Sequence, residues 1–366
     1  HHVSRITFHA SRFTHHVSLP QPTMNQDYFA HYLPLIEDEM RRVIGDAPGV
    51  YARHYGMLRY HMGWVDAQMQ PAVVNGGKRI RPMLCLLACA AVGGAVDDAL
   101  PAAAAVELLH NFSLIHDDVE DDSPTRRHRP TVWALWGVPQ AINAGDAMFT
   151  LARLALHGVS AGSATPARAL EAFAIFDHAC LRLTEGQYLD MSFEGRLDVT
   201  VDEYLTMIGG KTAALLGASL ELGALLGGAD QAACGRLAEF GRNLGLAFQM
   251  QDDILGIWGD EAVTGKSAAS DILTRKKSLP VVYALADPRV GAELRARYAQ
   301  PIESEAVPAV LELLAQAGAH EYVSRTAQAA HQAALAALAA SGVLVDGNEG
   351  GAALLEVAEM LLGRQS

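Results

Sequence analysis

The chain has no apolar run long enough to cross a bilayer. Its longest uncharged apolar stretch, residues 82–96, is interrupted by Gly93-Gly94 and falls short of the roughly 20 residues a membrane helix needs. An integral membrane segment is therefore not expected. Positive charge is scarce: 28 Lys and Arg stand against 41 Asp and Glu, a net charge of −13. That balance argues against a general nucleic-acid surface, though not against a locally basic pocket. Only four cysteines occur, Cys85, Cys89, Cys180 and Cys234. Cys85 and Cys89 share a helical face inside an apolar run, with no His or Cys following at metal spacing, so they read as buried thiols and not as a zinc site. A reduced, cytoplasmic compartment fits them best. Alternating strand-like runs are scarce as well, and no low-complexity linker divides the chain.

Residues 1–23 are rich in His, Ser and Thr and carry no apolar h-region, which excludes a secretory signal. They read as a tag remnant or non-native leader, with Met24 as a natural start. After Tyr28 almost everything reads as helix, with Ala, Leu, Glu, Gln and Arg recurring and apolar residues three and four apart. Helices are expected over 28–44, 57–70, 80–92, 99–121, 140–156, 167–191, 201–226, 231–254, 278–285, 306–317, 321–341 and 351–362. The expected architecture is one all-α domain over residues 24–366, a helical bundle.

Two acidic clusters end strongly apolar helical segments. The first is Asp117-Asp118-x-x-Asp121, with Asp122 beside it; the second is Asp252-Asp253. On a helix Asp117 and Asp121 stack one turn apart, a costly pairing of like charges unless a cation compensates. Mg²⁺ prefers oxygen ligands and commonly bridges a few carboxylates to phosphate oxygens. The competing reading, an acidic solvated helix end, would have to explain two such clusters and the basic loop Arg126-Arg127-His128-Arg129 that follows the first. Downstream of the second lie Gly265-Lys266, Asp271 and Arg275-Lys276-Lys277, able to offer point charges to a diphosphate. Near the front, Gly76-Gly77-Lys78-Arg79-Ile80-Arg81-Pro82 enters a helix, where glycines permit close approach and the helix N-terminus favours anions. It is not a P-loop, because the Gly-x4-Gly-Lys-Ser/Thr pattern is absent.

These motifs, with Lys211-Thr212 and Phe248-Gln249-x-x-Asp252-Asp253, occur in the order seen in trans-isoprenyl diphosphate synthases, which the chain closely resembles. The resemblance implies an all-α bundle around a deep apolar cavity, a homodimer, and two or three Mg²⁺ ions. It implies that Lys78, Arg81, His110 and Arg127 hold isopentenyl diphosphate. Asp117, Asp118, Asp121, Asp252 and Asp253 would act through Mg²⁺ on an allylic diphosphate, with Arg126, Lys211, Lys266 and Lys276 on the same leaving group. Thr212 and Gln249 would line the reacting allylic carbon. His110 could equally be a satisfied core histidine.

Two positions depart from the family pattern. Gly256 stands where the second cluster commonly has a third Asp, and Asp260 lies one turn further if the helix continues. His128 stands where a Gly often follows the paired arginines. Two other functions remain in view: a class I terpene cyclase, although its second metal motif finds no convincing match, and a non-catalytic regulatory subunit of the same fold. For product length, Phe112 sits roughly 7.5 Å below Asp117 at about 1.5 Å per residue, beside the small Ser113. Phe112 is either ordinary core packing or a floor for the growing chain. The arrangement resembles short-chain geranylgeranyl and farnesyl diphosphate synthases, with a C20 product expected first and C15 second.

Overall fold

Ala- and Leu-rich segments of this sequence can bury a helix on nearly every side, and the architecture grows from two of them. The computed structural model describes residues 27–74, 76–259 and 269–362; the 1–23 leader, Asp260 and Lys266 lie outside the described residues. In chain order the helices are α1 (Asp27–Ile44), α2 (Ala52–Met62), α3 (Ile80–Ala91), α4 (Val96–Glu120), α5 (Val132–Trp136), α6 (Val138–Leu156), α7 (Pro166–Phe193) and α8 (Val201–Ile208). They continue with α9 (Ala214–Leu226), α10 (Gln231–Trp258), α11 (Ser270–Leu273), α12 (Leu279–Ala286), α13 (Gly291–Tyr298), α14 (Val307–Ala317), α15 (Ala319–Ala340) and α16 (Glu349–Leu362).

α4 and α9 are the buried axis. Ala102, Ala103, Ala104, Ala105, Val106, Leu108 and Leu109 of α4 are fully covered, as are Leu220, Leu222 and Ala224 of α9. A helix that is apolar all round must lie inside others: α4 packs on α3, α6 and α9, while α9 also meets α7 and α10. α10 rests in turn on α15, and α16 closes over α3. Helix starts follow the capping residues. Thr200 forms a capping box with Glu203 at α8, and the Asp230 side chain accepts the Ala233 N–H at 2.8 Å to start α10, as its position implies. No helix of the described residues is long and apolar enough to cross a membrane.

Three sequence expectations change. The helix expected over 57–70 ends at Met62, because Gly63 adopts φ +86° and the chain leaves α2 as a loop. The helix expected over 201–226 is interrupted by a π-turn at Gly209–Ala213, a device often found at functional sites. The short α5, α11 and α13 escape periodicity because none completes enough turns to show a stripe.

The one sheet among the described residues is a hairpin, Thr125–Arg126 against Arg129–Pro130. Its two turn residues, Arg127 and His128, have φ of +51° and +62°, the left-handed pair of a type I′ turn. That conformation costs a non-glycine residue roughly 1–2 kcal/mol, which is the physical reason a Gly would suit position 128. The substitution His128→Gly should raise stability by about 1 kcal/mol, or roughly 2 °C in the calorimetric Tm. A lowered or unchanged Tm would mean that the His128 side chain compensates for the strain.

Candidate functional site

The basic motif at the start of α3 is held by a buried network of charges, two of which, Arg79 and Glu107, also border the cavity it forms. Arg79 is buried and donates to Glu37 of α1 and Glu107 of α4, each at 2.8 Å; Asn111 Nδ2 in turn donates to Glu107 at 3.0 Å. Breaking such a network would strand a buried charge, so the entry of α3 is fixed against α1 and α4. Gly77 then turns at φ +107°, and a Cβ there would meet the Arg127 guanidinium at 2.7 Å. Only glycine lets Arg127 come so close, and Arg127 Nη1 donates to the Gly76 carbonyl. Lys78, Arg81, His110 and Arg127 thereby line one cavity of about 170 Å³, walled by Leu216, Phe248 and Leu361.

This first cradle has an excess of positive charge. Burial pushes the Arg81 guanidinium down, with Glu107 opposing, and its Nε is buried without a hydrogen-bond partner. Burial also pushes Arg127 down, and the neighbouring Arg79 adds to it. His110 is driven well below its usual value by burial and then by Arg81, Arg127 and Arg126, so it sits there as a neutral imidazole. Buried cations in this state gain most from a multivalent anion.

The second cradle lies where α4 ends. Burial pushes the Asp117 carboxyl up to about 7, against the pull of Lys211, and pushes Asp118 up to about 6 despite Arg126. Asp121 is raised for the same reason, with Asp190 and Glu120 contributing. Arg126 Nε donates to Asp118 Oδ1 at 2.8 Å. Lys211, carried by the π-turn, donates to Asp190 of α7 at 2.6 Å. Burial alone would lower its ammonium, but Asp190, Asp117 and Asp121 outweigh that and hold it up. Lys276 behaves alike: burial opposes, and Asp253, Asp271, Asp190 and Asp252 raise it. Asp121, Asp190 and Lys276 line a single cavity of about 460 Å³.

Asp252 and Asp253 separate. Asp252 is half-buried, whereas Asp253 is buried at 1% exposure. Its Oδ2 accepts from the Tyr204 hydroxyl and, at 3.0 Å, from the Leu279 N–H; its Oδ1 accepts from Gln249 Nε2 at 3.3 Å. Each oxygen accepts at least one hydrogen bond, so Asp253 acts as a strut tying α10 to the start of α12. Gln249 Oε1 also accepts from the Thr212 hydroxyl at 3.0 Å, so Thr212, Gln249, Asp253 and Tyr204 form one chain of hydrogen bonds. Sequence reasoning missed Asp190, Tyr204 and the Gln187–Glu120 bond of 2.6 Å between α7 and α4. The signal for two of them was present, since Gln187 and Asp190 are polar neighbours three apart on one face of α7.

Among the described residues no three His, Cys, Asp or Glu side chains converge into a cage for a metal ion. Carboxylates pushed toward neutrality by one another and by burial nonetheless fit a divalent cation shared with phosphate oxygens, the usual mode for Mg²⁺. Asp117, Asp118, Asp121 and Asp252 have the chemistry for it.

The polyprenyl synthetase family model matches residues 62–314. The chain belongs to that family. It is 46% identical over 285 residues to the geranylgeranyl diphosphate synthase of Mycobacterium tuberculosis, covering 77% of this chain and 80% of that protein. It is 44% identical over 278 residues to the (2E,6E)-farnesyl diphosphate synthase of Mycobacterium bovis, covering 74% and 76%. In structure it is similar to the polyprenyl synthetase of Streptomyces coelicolor, with a TM-score of 0.81, 39% identity, and coverage of 92% of this chain and 98% of that one. It is also similar to a geranylgeranyl pyrophosphate synthase of Corynebacterium glutamicum in complex with isoprenyl diphosphate and magnesium, with a TM-score of 0.77, 26% identity, and coverage of 91% and 99%. The all-α fold is thus the one this family uses.

The raised carboxyls of this polyprenyl synthetase have a stability consequence. Asp117 ionises near 3.8 when unfolded and near 7 when folded. Its protonated form therefore favours the fold fully below about pH 4, and that support is lost as pH rises toward 7. In the absence of divalent cations, Asp117→Asn should raise the Tm at pH 8 and have little effect at pH 4. A Tm gain of equal size at both pH values would contradict the assigned environment.

Proposed function

We propose that the protein joins isopentenyl diphosphate head to tail to an allylic prenyl diphosphate, giving a short all-trans product, C20 first and C15 next. The observation that carries this reading is a pair of anion cradles joined by one hairpin. Arg126 of that hairpin pairs with Asp118, and the adjacent Arg127 reaches Gly76. Two diphosphates need two anchors. A class I terpene cyclase ionises a single prenyl diphosphate and leaves the Lys78, Arg81, His110 and Arg127 cradle without a task. A non-catalytic subunit has no use for an intact Asp117, Asp118 and Asp121.

In this reading Lys78, Arg81 and Arg127 hold isopentenyl diphosphate, and neutral His110 donates a hydrogen bond to it. Asp117, Asp118, Asp121 and Asp252 would hold the two or three Mg²⁺ ions that the family resemblance implies, which would supply positive charge to the allylic diphosphate. Lys211 and Lys276, with Lys266 from outside the described residues and Arg126, add fixed positive charge at the departing oxygen. The Thr212 and Gln249 oxygens, ordered by their mutual bond, face the allylic carbon as it turns cationic. Leu216 and Phe248 keep water from that carbon. After the new bond forms, a proton is lost to the released diphosphate, and no side chain is needed as base.

The family likeness supports a homodimer, and exposed Leu170, Leu181 and Tyr188 lie along one stripe of α7, an apolar face suited to a second copy. Four free thiols fit a cytoplasmic location. Purified protein given Mg²⁺, isopentenyl diphosphate and a set of allylic primers should make longer prenyl diphosphates by mass spectrometry. No elongation with any primer would sink the proposal, and a cyclic hydrocarbon from one substrate would replace it.

Product length has its own test. The Phe112 ring lies 5.3 Å from Phe149 of α6 and 4.9 Å from His116, forming an aromatic wall below Asp117. Ser113 turns its hydroxyl back to the His110 carbonyl at 2.9 Å and adds no bulk. Phe112→Ala should shift the product distribution to longer chains; an unchanged profile would assign Phe112 to packing alone.

A further inference from the structure

The second acidic cluster lacks a carboxylate at Gly256, yet a carboxylate stands there. Gly256 is one turn beyond Asp252 on α10, so the two share a face. A Cβ built on Gly256 would come within 2.4 Å of Asp271 Oδ2 and 2.9 Å of its Oδ1. Asp271 arrives from α11 and is only 7% exposed. It is also one of the four carboxylates, with Asp253, Asp190 and Asp252, that sustain the charge on Lys276. The backbone keeps it near that lysine, since Lys276 N–H donates to the Asp271 carbonyl at 2.9 Å.

We propose that Asp271 supplies, from α11, the third carboxylate of the second cluster, and that position 256 is glycine because this carboxylate occupies its side-chain space. The inference rests on the reading of that cluster as the cation-facing side of the allylic site. Asp271 is a positioning residue: it is buried against Gly256 and acts through Lys276, which lines the cavity with Asp121 and Asp190. Its work is to orient Lys276 and the water around a cation shared with diphosphate. Outer carboxylates of this kind typically change metal affinity 10- to 100-fold when removed. A residue that only packed α11 against α10 would alter Tm without altering the cation requirement.

The test uses the full chain and inorganic diphosphate, with Mg²⁺ titrated while thermal stabilisation is followed. Asp271→Asn should raise the Mg²⁺ concentration for half-maximal stabilisation by about tenfold or more. Gly256→Asp alone should also raise it, because the two carboxylates collide. The exchange Gly256→Asp with Asp271→Ala moves the carboxylate from α11 to α10 and should recover most of the loss. If Asp271→Asn binds Mg²⁺ like the unmodified protein, the inference is overturned. Should that variant fail to fold, the exchange decides, and a failure to rescue overturns it equally. Elongation by the unmodified protein is measured alongside. If it elongates while Asp271→Asn keeps its Mg²⁺ requirement, the inference falls alone; if it neither elongates nor responds to Mg²⁺ with diphosphate, both readings fall.

Discussion

Like charges crowd the negative end of a long buried helix, and the rest of the site answers to that. α4 runs from Val96 to Glu120, and its C-terminal turn concentrates the partial negative charge of the helix. Asp117, Asp118 and Glu120 occupy that turn and Asp121 caps it. Folding alone would place acids at the opposite end. The cost is visible in Asp117, whose carboxyl is pushed up to about 7. Positive charge must come from elsewhere in the chain, and two elements deliver it: the hairpin with Arg126 and the π-turn with Lys211.

The hairpin couples the two cradles through strain. A type I′ turn reverses the chain within two residues, so Arg126 and Arg127 diverge although they are adjacent. One meets Asp118 and the other the Gly76 carbonyl. Glycine at 77 makes room for the second contact, and the Arg79 network keeps that glycine in place. Tyr60 locks the hairpin from below, its hydroxyl donating to the Pro130 carbonyl at 2.8 Å and its ring lying 4.0 Å from the Arg129 guanidinium carbon. A disturbance at α2 or α1 therefore reaches both anion sites without touching either.

Much of this was legible from residue order alone. The helical class followed from periodicity, whereas the grouping of Lys78, Arg81, His110 and Arg127, which line one cavity, came from the ordered set of motifs and the family resemblance and not from the Gly76-Gly77-Lys78 string alone. The azimuth of a residue on its helix was not legible. Asp252 and Asp253 are chemically identical neighbours, but successive residues on a helix point about 100° apart. One therefore stays half-buried and the other is buried against Tyr204, and only the packing of α8 and α12 on α10 decides which. Asp190 showed a polar face on α7, but its pairing with Lys211 was hidden, because Lys211 lies on a separate element carried by a π-turn. His128 was visible as a departure from the family pattern, but its meaning needed the sign of φ.

The same azimuthal logic explains why the two acidic clusters differ in make-up. At the first, three carboxylates come from one stretch of chain, since α4 ends there and Asp121 as a cap can swing past the helical face. At the second, α10 continues to Trp258, so its residues remain bound to the helical repeat. Asp253 is turned inward, where burial raises its carboxyl and three donors hold it against α8 and α12. That leaves α10 a single outward carboxylate, Asp252, and a glycine one turn on. Additional negative charge on that face has to come from a neighbouring element, and α11 passes close enough to provide it only because residue 256 has no side chain.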